Sequence, residues 1–177
     1  HSMRTLMRVT GLLCLSFHLL PSIAAAQSLV LKQAREAPTP ITVQPFIRSS
    51  SDPTAVSRAT DLEAALKANL IFSRLFRLIE PNLERGTPTT LTQVRVDPWR
   101  QEGVSYLARA SITVEGNKTK LEAFVFDVVN ARPALQKTFE TSRSDFQILA
   151  HMFGDEIVRL ITGELGLFST KIAFAYK

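Results

Sequence analysis

The chain has 177 residues, of which 45% are hydrophobic and 21% are charged, and its formal net charge is +5. This length supports one hydrophobic core of ordinary size, and the composition differs from that of the weakly hydrophobic, highly charged chains that stay disordered. Seven glycines and one cysteine exclude a collagen-like repeat, a disulfide scaffold and a multi-cysteine zinc module. The sequence therefore predicts a folded domain with a charge excess to be explained.

The first 26 residues have the pattern of a secretory signal peptide. His1 and Ser2 precede the first methionine and are interpreted as the remnant of a cloning tag. A basic stretch with Arg4 and Arg8 is followed by an apolar run too short to span a membrane, and then by three alanines that end at Ala26. We expect cleavage after Ala26 and export to the periplasm. An uncleaved anchor or an amphipathic first helix is the alternative.

Removal of this segment changes the chemistry that the chain can perform. It takes away Cys14, so no disulfide, thiol nucleophile or thiolate metal site can form, and it leaves His151 as the remaining histidine. Because Arg4 and Arg8 are lost with no acidic residue, the formal net charge falls from +5 to +3. A cysteine-free exported domain suits the oxidising periplasm.

The first half of the remaining chain predicts a strand, a helix, a second strand and a short helical turn. Residues 41–46 alternate as a strand. Residues 54–71 carry apolar side chains at helical spacing, with Arg58 off the apolar stripe. Residues 75–80 alternate again, and residues 97–99 place a proline in the first turn of a short helix.

The second half predicts a β-meander. Two long alternating runs, residues 104–115 and 118–129, flank a Gly-Asn turn and therefore form a hairpin. Phe124 and Phe126 share one face of the second run, so we expect both in the core. Residues 135–140 add a further strand.

A second main helix and a last strand follow. Ser144 or Asp145 is the expected N-cap of the helix, and Gly163 ends it. Residues 169–177 alternate as the last strand. Together the elements predict an α+β sandwich, in which two main helices pack on one face of a mixed sheet of five to six strands.

Catalytic chemistry is weakly supported. His151 and Asp155 stand four apart on one helical face, and a single such pair, without a third ligand or a nucleophile, is typical of a helix surface. The lysines and arginines, Arg109 among them, are scattered, which favours a solvated surface over a nucleic-acid interface. We expect no catalytic residue, metal, cofactor, nucleic acid or small-molecule substrate. A hydrolase that uses His151 is the alternative.

The C-terminal third carries a recognisable motif. Residues 151–157 read HMFGDEI, and residues 160–174 read LITGELGLFSTKIAF. Together they resemble the H-x-x-x-D-E-(V/I)…L-T-G-x-x-G-x-F-x-T-R-I-A-Y signature that closes the N-terminal domain of the TolB family, with Lys171 where that family usually has arginine. Residues 40–46 (PITVQPF) and 75–80 (LFRLIE) are similar to the family's first core strand and to the strand after its first helix.

The resemblance implies a non-enzymatic periplasmic domain of the Tol–Pal envelope system, which works by protein–protein contact in outer-membrane maintenance and envelope constriction. In that family a C-terminal β-propeller binds the lipoprotein Pal. Because the chain stops at Lys177, where a propeller would begin, we expect residues 40–177 to be a TolB N-terminal-like domain cut from a longer protein. The alternative is a stand-alone envelope assembly module or an activator of a peptidoglycan-synthesis enzyme.

A partner-binding arm is predicted at residues 27–39. The TolB family's extreme N-terminal segment can reach TolA, and this arm carries a short apolar run that could add to another protein's sheet edge, namely Leu29, Val30, Leu31 and Lys32. The same run could equally be the first strand of its own sheet. We expect TolA-like envelope proteins as partners, and membrane association only through partners.

Overall fold

A computed structural model describes residues 37–48, 53–82, 88–164, 166 and 168. Three sequence predictions lie outside these residues: the signal peptide at 1–26, the last strand at 169–177, and the partner-binding run of Leu29, Val30, Leu31 and Lys32.

One mixed sheet organises the described part of the chain. The elements in chain order are β1 (Thr39–Val43), β2 (Ile47–Arg48), α1 (Pro53–Ser73), β3 (Phe76–Leu78), α2 (Val96–Gln101), β4 (Tyr106–Glu115), β5 (Lys118–Asp127), β6 (Arg132–Ser142) and α3 (Ile148–Thr162). The strand order is β3-β1-β4-β5-β6, and β2 also pairs with β4. Pairings that involve β1 or β2 are parallel, whereas β4–β5 and β5–β6 are antiparallel. The predicted α+β class with a mixed sheet is confirmed.

The two long helices pack on one face of the sheet, as predicted. Helix α1 presents a buried stripe at helical spacing that includes Leu62, Leu66 and Leu70, and α3 adds Phe153 and Ile157. The sheet meets them with small side chains at its centre: Ala108, Ala110 and Ala123. Complete burial of each leucine stabilises the fold by roughly 1.5–3 kcal/mol.

The opposite face of the sheet is covered as well, which the sequence did not predict. Phe124 and Phe126 are buried there, as expected for core residues, and they cluster with Leu107. Residues 88–104, which include α2, lie over them and contribute Trp99. The sheet therefore separates two cores, a large one under α1 and α3 and a smaller one under the α2 segment.

The predicted N-cap of the second main helix is wrong. Ser144 and Asp145 belong to a short 3-10 turn, and α3 begins only at Ile148. Their side chains face Ser142 instead, whose Oγ lies 3.3 Å from the Ser144 hydroxyl and 3.4 Å from an Asp145 carboxylate oxygen. The predicted C-terminal end is confirmed, since Gly163 adopts a left-handed φ of 75° and donates its N–H to a carbonyl of the last turn.

Strand β6 is longer than predicted. It runs from Arg132 to Ser142 rather than over residues 135–140, and it includes Pro133 near its start. Proline is tolerated there because β6 ends the strand order, so the missing N–H need not serve a second neighbour. The register shifts between Val125 and Phe126, where Pro133 joins the ladder.

A core truncation in α1 tests this packing. We expect Leu66→Ala to lower the free energy of unfolding by about 2–5 kcal/mol, because Leu66 is fully buried and the change leaves a cavity. Phe72→Ala is the control, since that side chain is 81% exposed on the same helix and its loss is expected to change stability by less than about 0.5 kcal/mol. Urea unfolding measures both, and equal losses would contradict the described packing.

Candidate functional site

The histidine of the C-terminal motif makes a hydrogen-bond contact between two helices. His151 Nδ1 lies 3.0 Å from the side-chain nitrogen of Asn69 on α1. An amide nitrogen only donates, so Asn69 is the donor in this contact. His151 therefore joins α3 to α1.

Two further residues of the motif in α3, Gly154 and Asp155, contact residues that follow the helix. Asp155 accepts a hydrogen bond of 2.7 Å from the backbone N–H of Phe168. The Phe168 ring packs where a side chain at Gly154 would lie, at 3.0 Å from an added Cβ, and a Cβ at Gly166 would overlap Asp155. His151 and Asp155 are thus each engaged in a structural contact, which favours a role in packing over a hydrolase.

Glu156 ties α3 to β6. Its carboxylate contacts Lys137 of β6 and Arg159 one turn further along α3. Partial burial pushes the pKa of Glu156 up, but the hydrogen bonds and charges of Lys137 and Arg159 outweigh it and hold the pKa below its usual range. The carboxylate is therefore a contributor to stability at neutral pH.

Arg58 is buried although the helical pattern placed it off the apolar stripe. Its guanidinium donates to the Thr119 hydroxyl of β5 and lies 4.8 Å from the centre of the Phe146 ring. The long side chain reaches past the edge of α1 to a polar atom and an aromatic face. Arg58 thus links α1 to the hairpin.

Arg109 is the second buried arginine, and its interpretation as a solvated surface residue is wrong. It is 6% exposed on the small-core face of β4. Its Nε donates to the side-chain oxygen of Gln44, and its Nη1 donates to the carbonyls of Thr90 and Gln93. These bonds attach the loop before α2 to the sheet.

No carboxylate of the described residues forms an ion pair with Arg109. Burial lowers the pKa of its guanidinium to about 10, so the group is still charged at neutral pH. A buried cation without a counter-ion is costly unless hydrogen bonds compensate it. The sequence contained a signal for this burial. Arg109 lies two residues after Leu107, so both side chains lie on the same face of β4. In the sheet, Arg109 pairs with buried Phe124 of β5.

A cavity of about 450 Å³ lies beside Arg109, between the loop and the sheet. Its walls combine polar, basic and apolar side chains: Gln44, Pro88, Thr89, Thr90, Gln93, Val94, Arg95, Pro98, Trp99 and Arg109. Arg95 is exposed, whereas Trp99 is buried. Two cations and no acidic side chain line the described walls, so the cavity suits an anionic group better than a cation.

Two features are absent from the described residues, namely a metal site and a helix that could cross a membrane. No group of three or more histidine, cysteine, aspartate or glutamate side chains among them could hold a metal ion. No helix formed by them combines the length and the apolar character that crossing a membrane requires.

A mixed sheet with two long helices on one face and a short helix on the other defines a small α+β domain. Residues 27–134 match the family model of the TolB amino-terminal domain. The chain therefore belongs to the TolB amino-terminal domain family, as its motif indicated.

Curated relatives agree with this assignment. The Tol-Pal system protein TolB of Anaeromyxobacter dehalogenans is 29% identical over 174 residues, which cover 96% of this chain and 39% of the relative. The TolB of Geobacter metallireducens is 30% identical over 125 residues, which cover 70% of this chain and 29% of the relative. The chain thus spans well under half the length of these relatives.

A solved structure shares the fold. The crystal structure of TolB from Acinetobacter baumannii superimposes with a TM-score of 0.58 at 19% sequence identity, over 76% of this chain and 31% of that one. The similarity supports the arrangement of helices and strands described above.

The Glu156 contacts predict a pH dependence. Because the folded-state pKa of Glu156 is lowered, its stabilisation is present above the unfolded-state pKa and is lost as the pH falls through the folded-state pKa. We expect Glu156→Gln to cost about 1 kcal/mol near pH 7 and much less near about pH 3. Urea unfolding at both pH values measures the difference.

Glu140→Gln is the matched control for this change. Glu140 pairs with Lys118, but both side chains are more than half exposed, so a smaller effect is expected at either pH. A Glu156→Gln penalty that stays the same at both pH values would contradict the assigned role of the carboxylate.

Proposed function

We propose that this chain is the N-terminal part of a non-catalytic periplasmic component of the Tol–Pal system, which supports outer-membrane integrity and envelope constriction through protein–protein contacts. The match of residues 27–134 to the TolB amino-terminal domain carries the proposal. The length of the curated relatives supports a longer whole protein, in which a propeller would follow Lys177 and bind Pal.

The contacts made by the motif support a scaffold role. His151 binds Asn69, Asp155 binds the backbone of Phe168, and Glu156 binds two basic side chains. These three side chains thus hold α3 against α1, against β6 and against the segment that follows α3. Such a domain acts by presenting surfaces and segments to partners.

The segment that meets the partner is, in this proposal, the arm at residues 27–39. Its apolar run, Leu29 to Lys32, would add as a strand to the sheet edge of a TolA-like protein. Backbone hydrogen bonds would supply affinity there, and alternate side chains would supply specificity.

Capture from envelope extract tests the arm. Tagged chains that begin at residue 27 and at residue 36 are used as baits, and the TolA-like protein is quantified by mass spectrometry. We expect the shorter bait to lose at least about 10-fold in recovery, because an added strand contributes several hydrogen bonds and apolar contacts.

Matched variants separate the sequence of the arm from its length. Leu29, Val30 and Leu31 are changed together to serine in one bait, and Val129, which is 64% exposed on the domain, is changed to serine in another. Only the first is expected to lose recovery. Full recovery without residues 27–35 would refute the arm, and recovery of a peptidoglycan-synthesis enzyme in place of TolA would favour the alternative function.

The signal peptide makes a separate prediction. Expression of the chain from Met3 in a Gram-negative host is expected to yield a periplasmic protein whose first residue is Gln27, because small residues precede this position. Intact-mass measurement of the periplasmic fraction locates the cut. A mature protein that keeps Arg4 and Arg8 would contradict cleavage after Ala26.

A further inference from the structure

The buried charge of Arg109 has hydrogen-bond partners in the fold but no counter-ion among the described residues. Nε and Nη1 donate to Gln44 and to two loop carbonyls. These bonds of the guanidinium use Nε and Nη1 and not Nη2, and Arg109 lines the cavity. Nε and Nη1 are therefore held by the fold, and Nη2 is the nitrogen left to a ligand in the cavity.

A second cation lines the same cavity. Arg95 is exposed on the loop before α2, and Arg109 lies on the sheet. The loop is fixed to the sheet through the Arg109 bonds to Thr90 and Gln93. Since the described lining has no acidic side chain, the two charges act together on whatever occupies the space.

The remaining walls are apolar in part. Trp99 is 5% exposed and lines the cavity together with Val94 and Pro98. Pockets that recognise organic molecules combine such apolar walls with a few fixed polar groups. The cavity, at about 450 Å³, has room for a ligand the size of an amino-acid side chain or a small acid.

We infer that this cavity binds an organic carboxylate that carries an apolar group, with the carboxylate against Arg109 and Arg95 and the apolar group against Trp99. The carboxylate can come from a free small acid or from a polypeptide, as an acidic side chain or a chain end. Nη2 of Arg109 can donate a charge-assisted hydrogen bond to one carboxylate oxygen and Arg95 to the other, and a guanidinium already held in place loses little entropy on binding.

The apolar wall favours a carboxylate over inorganic phosphate. Phosphate would meet the two arginines but would leave Trp99 and Val94 facing a strongly hydrated ion. An aromatic acid satisfies both kinds of wall at once. The inference goes beyond the proposed function and does not depend on the arm at residues 27–39.

Binding is followed through the single tryptophan of the chain, Trp99, which lines the cavity. Phenylacetate is titrated into residues 27–177, with phenylacetamide as the neutral isostere and inorganic phosphate as the third probe. N-acetyl-Ala-Ala-Phe with a free C-terminus, and the same peptide as its amide, represent the polypeptide source. We expect both carboxylates to change the emission saturably, and the tighter one identifies the source.

Three variants locate the binding. Arg109→Met is expected to weaken carboxylate binding about 10-fold or more, because it removes a charge-assisted hydrogen bond and a buried positive charge. Arg95→Gln is expected to weaken it about 3-fold. Arg77→Gln is the control, since Arg77 is exposed on β3, does not line the cavity and changes the net charge equally. The Arg77→Gln variant is expected to bind the carboxylate with the affinity of the parent chain.

The outcomes that would overturn the inference are distinct. Equal binding of phenylacetamide, tighter binding of phosphate, or unchanged affinity in Arg95→Gln would each do so. If Arg109→Met does not fold by circular dichroism, Arg95→Gln alone decides, because that side chain is exposed. If a variant loses TolA capture but still binds the carboxylate, the result concerns the arm at residues 27–39 and leaves the carboxylate site unaffected.

Discussion

Alternation along β4 is the constraint on which the described fold depends. This strand pairs with β1, β2 and β5, and both of its faces are covered. Ala108 and Ala110 face α1 and α3, whereas Leu107 and Arg109 face the α2 segment. A slip of one residue in the pairing would move the arginine under the helices, so burial on both faces fixes the register.

The two buried arginines differ in their surroundings. One contacts only other parts of the fold in the bonds described, whereas the other also lines a cavity. Arg58 is enclosed by a hydroxyl and the face of Phe146, and it connects a helix to a hairpin. Arg109 is held by Gln44 and the loop through Nε and Nη1, and it also lines a cavity. The hydrogen bonds reduce the penalty for burying the second charge, but its position also keeps an attraction for anions.

The sequence patterns correctly predicted the features that are determined by residues close together in the chain. The helical stripe of α1, the hairpin with Phe124 and the stop at Gly163 follow from local periodicity and turn chemistry. The contacts of His151 with Asn69 and of Arg109 with the loop carbonyls join residues far apart in the chain. No spacing rule encodes such partners, which is why the candidate site was found only in the structure.

The strand order also implies a sequence of events during folding. The β4–β5–β6 meander consists of near neighbours joined by tight turns, whereas β1 joins the sheet through pairs such as Ile41 with Tyr106. Closing short loops costs less entropy, so we expect the meander to form before the N-terminal half docks on it. Gln44 comes from the late half and Arg109 from the early half. In that order of events, the cavity between them would be completed only when the N-terminal half joins the sheet.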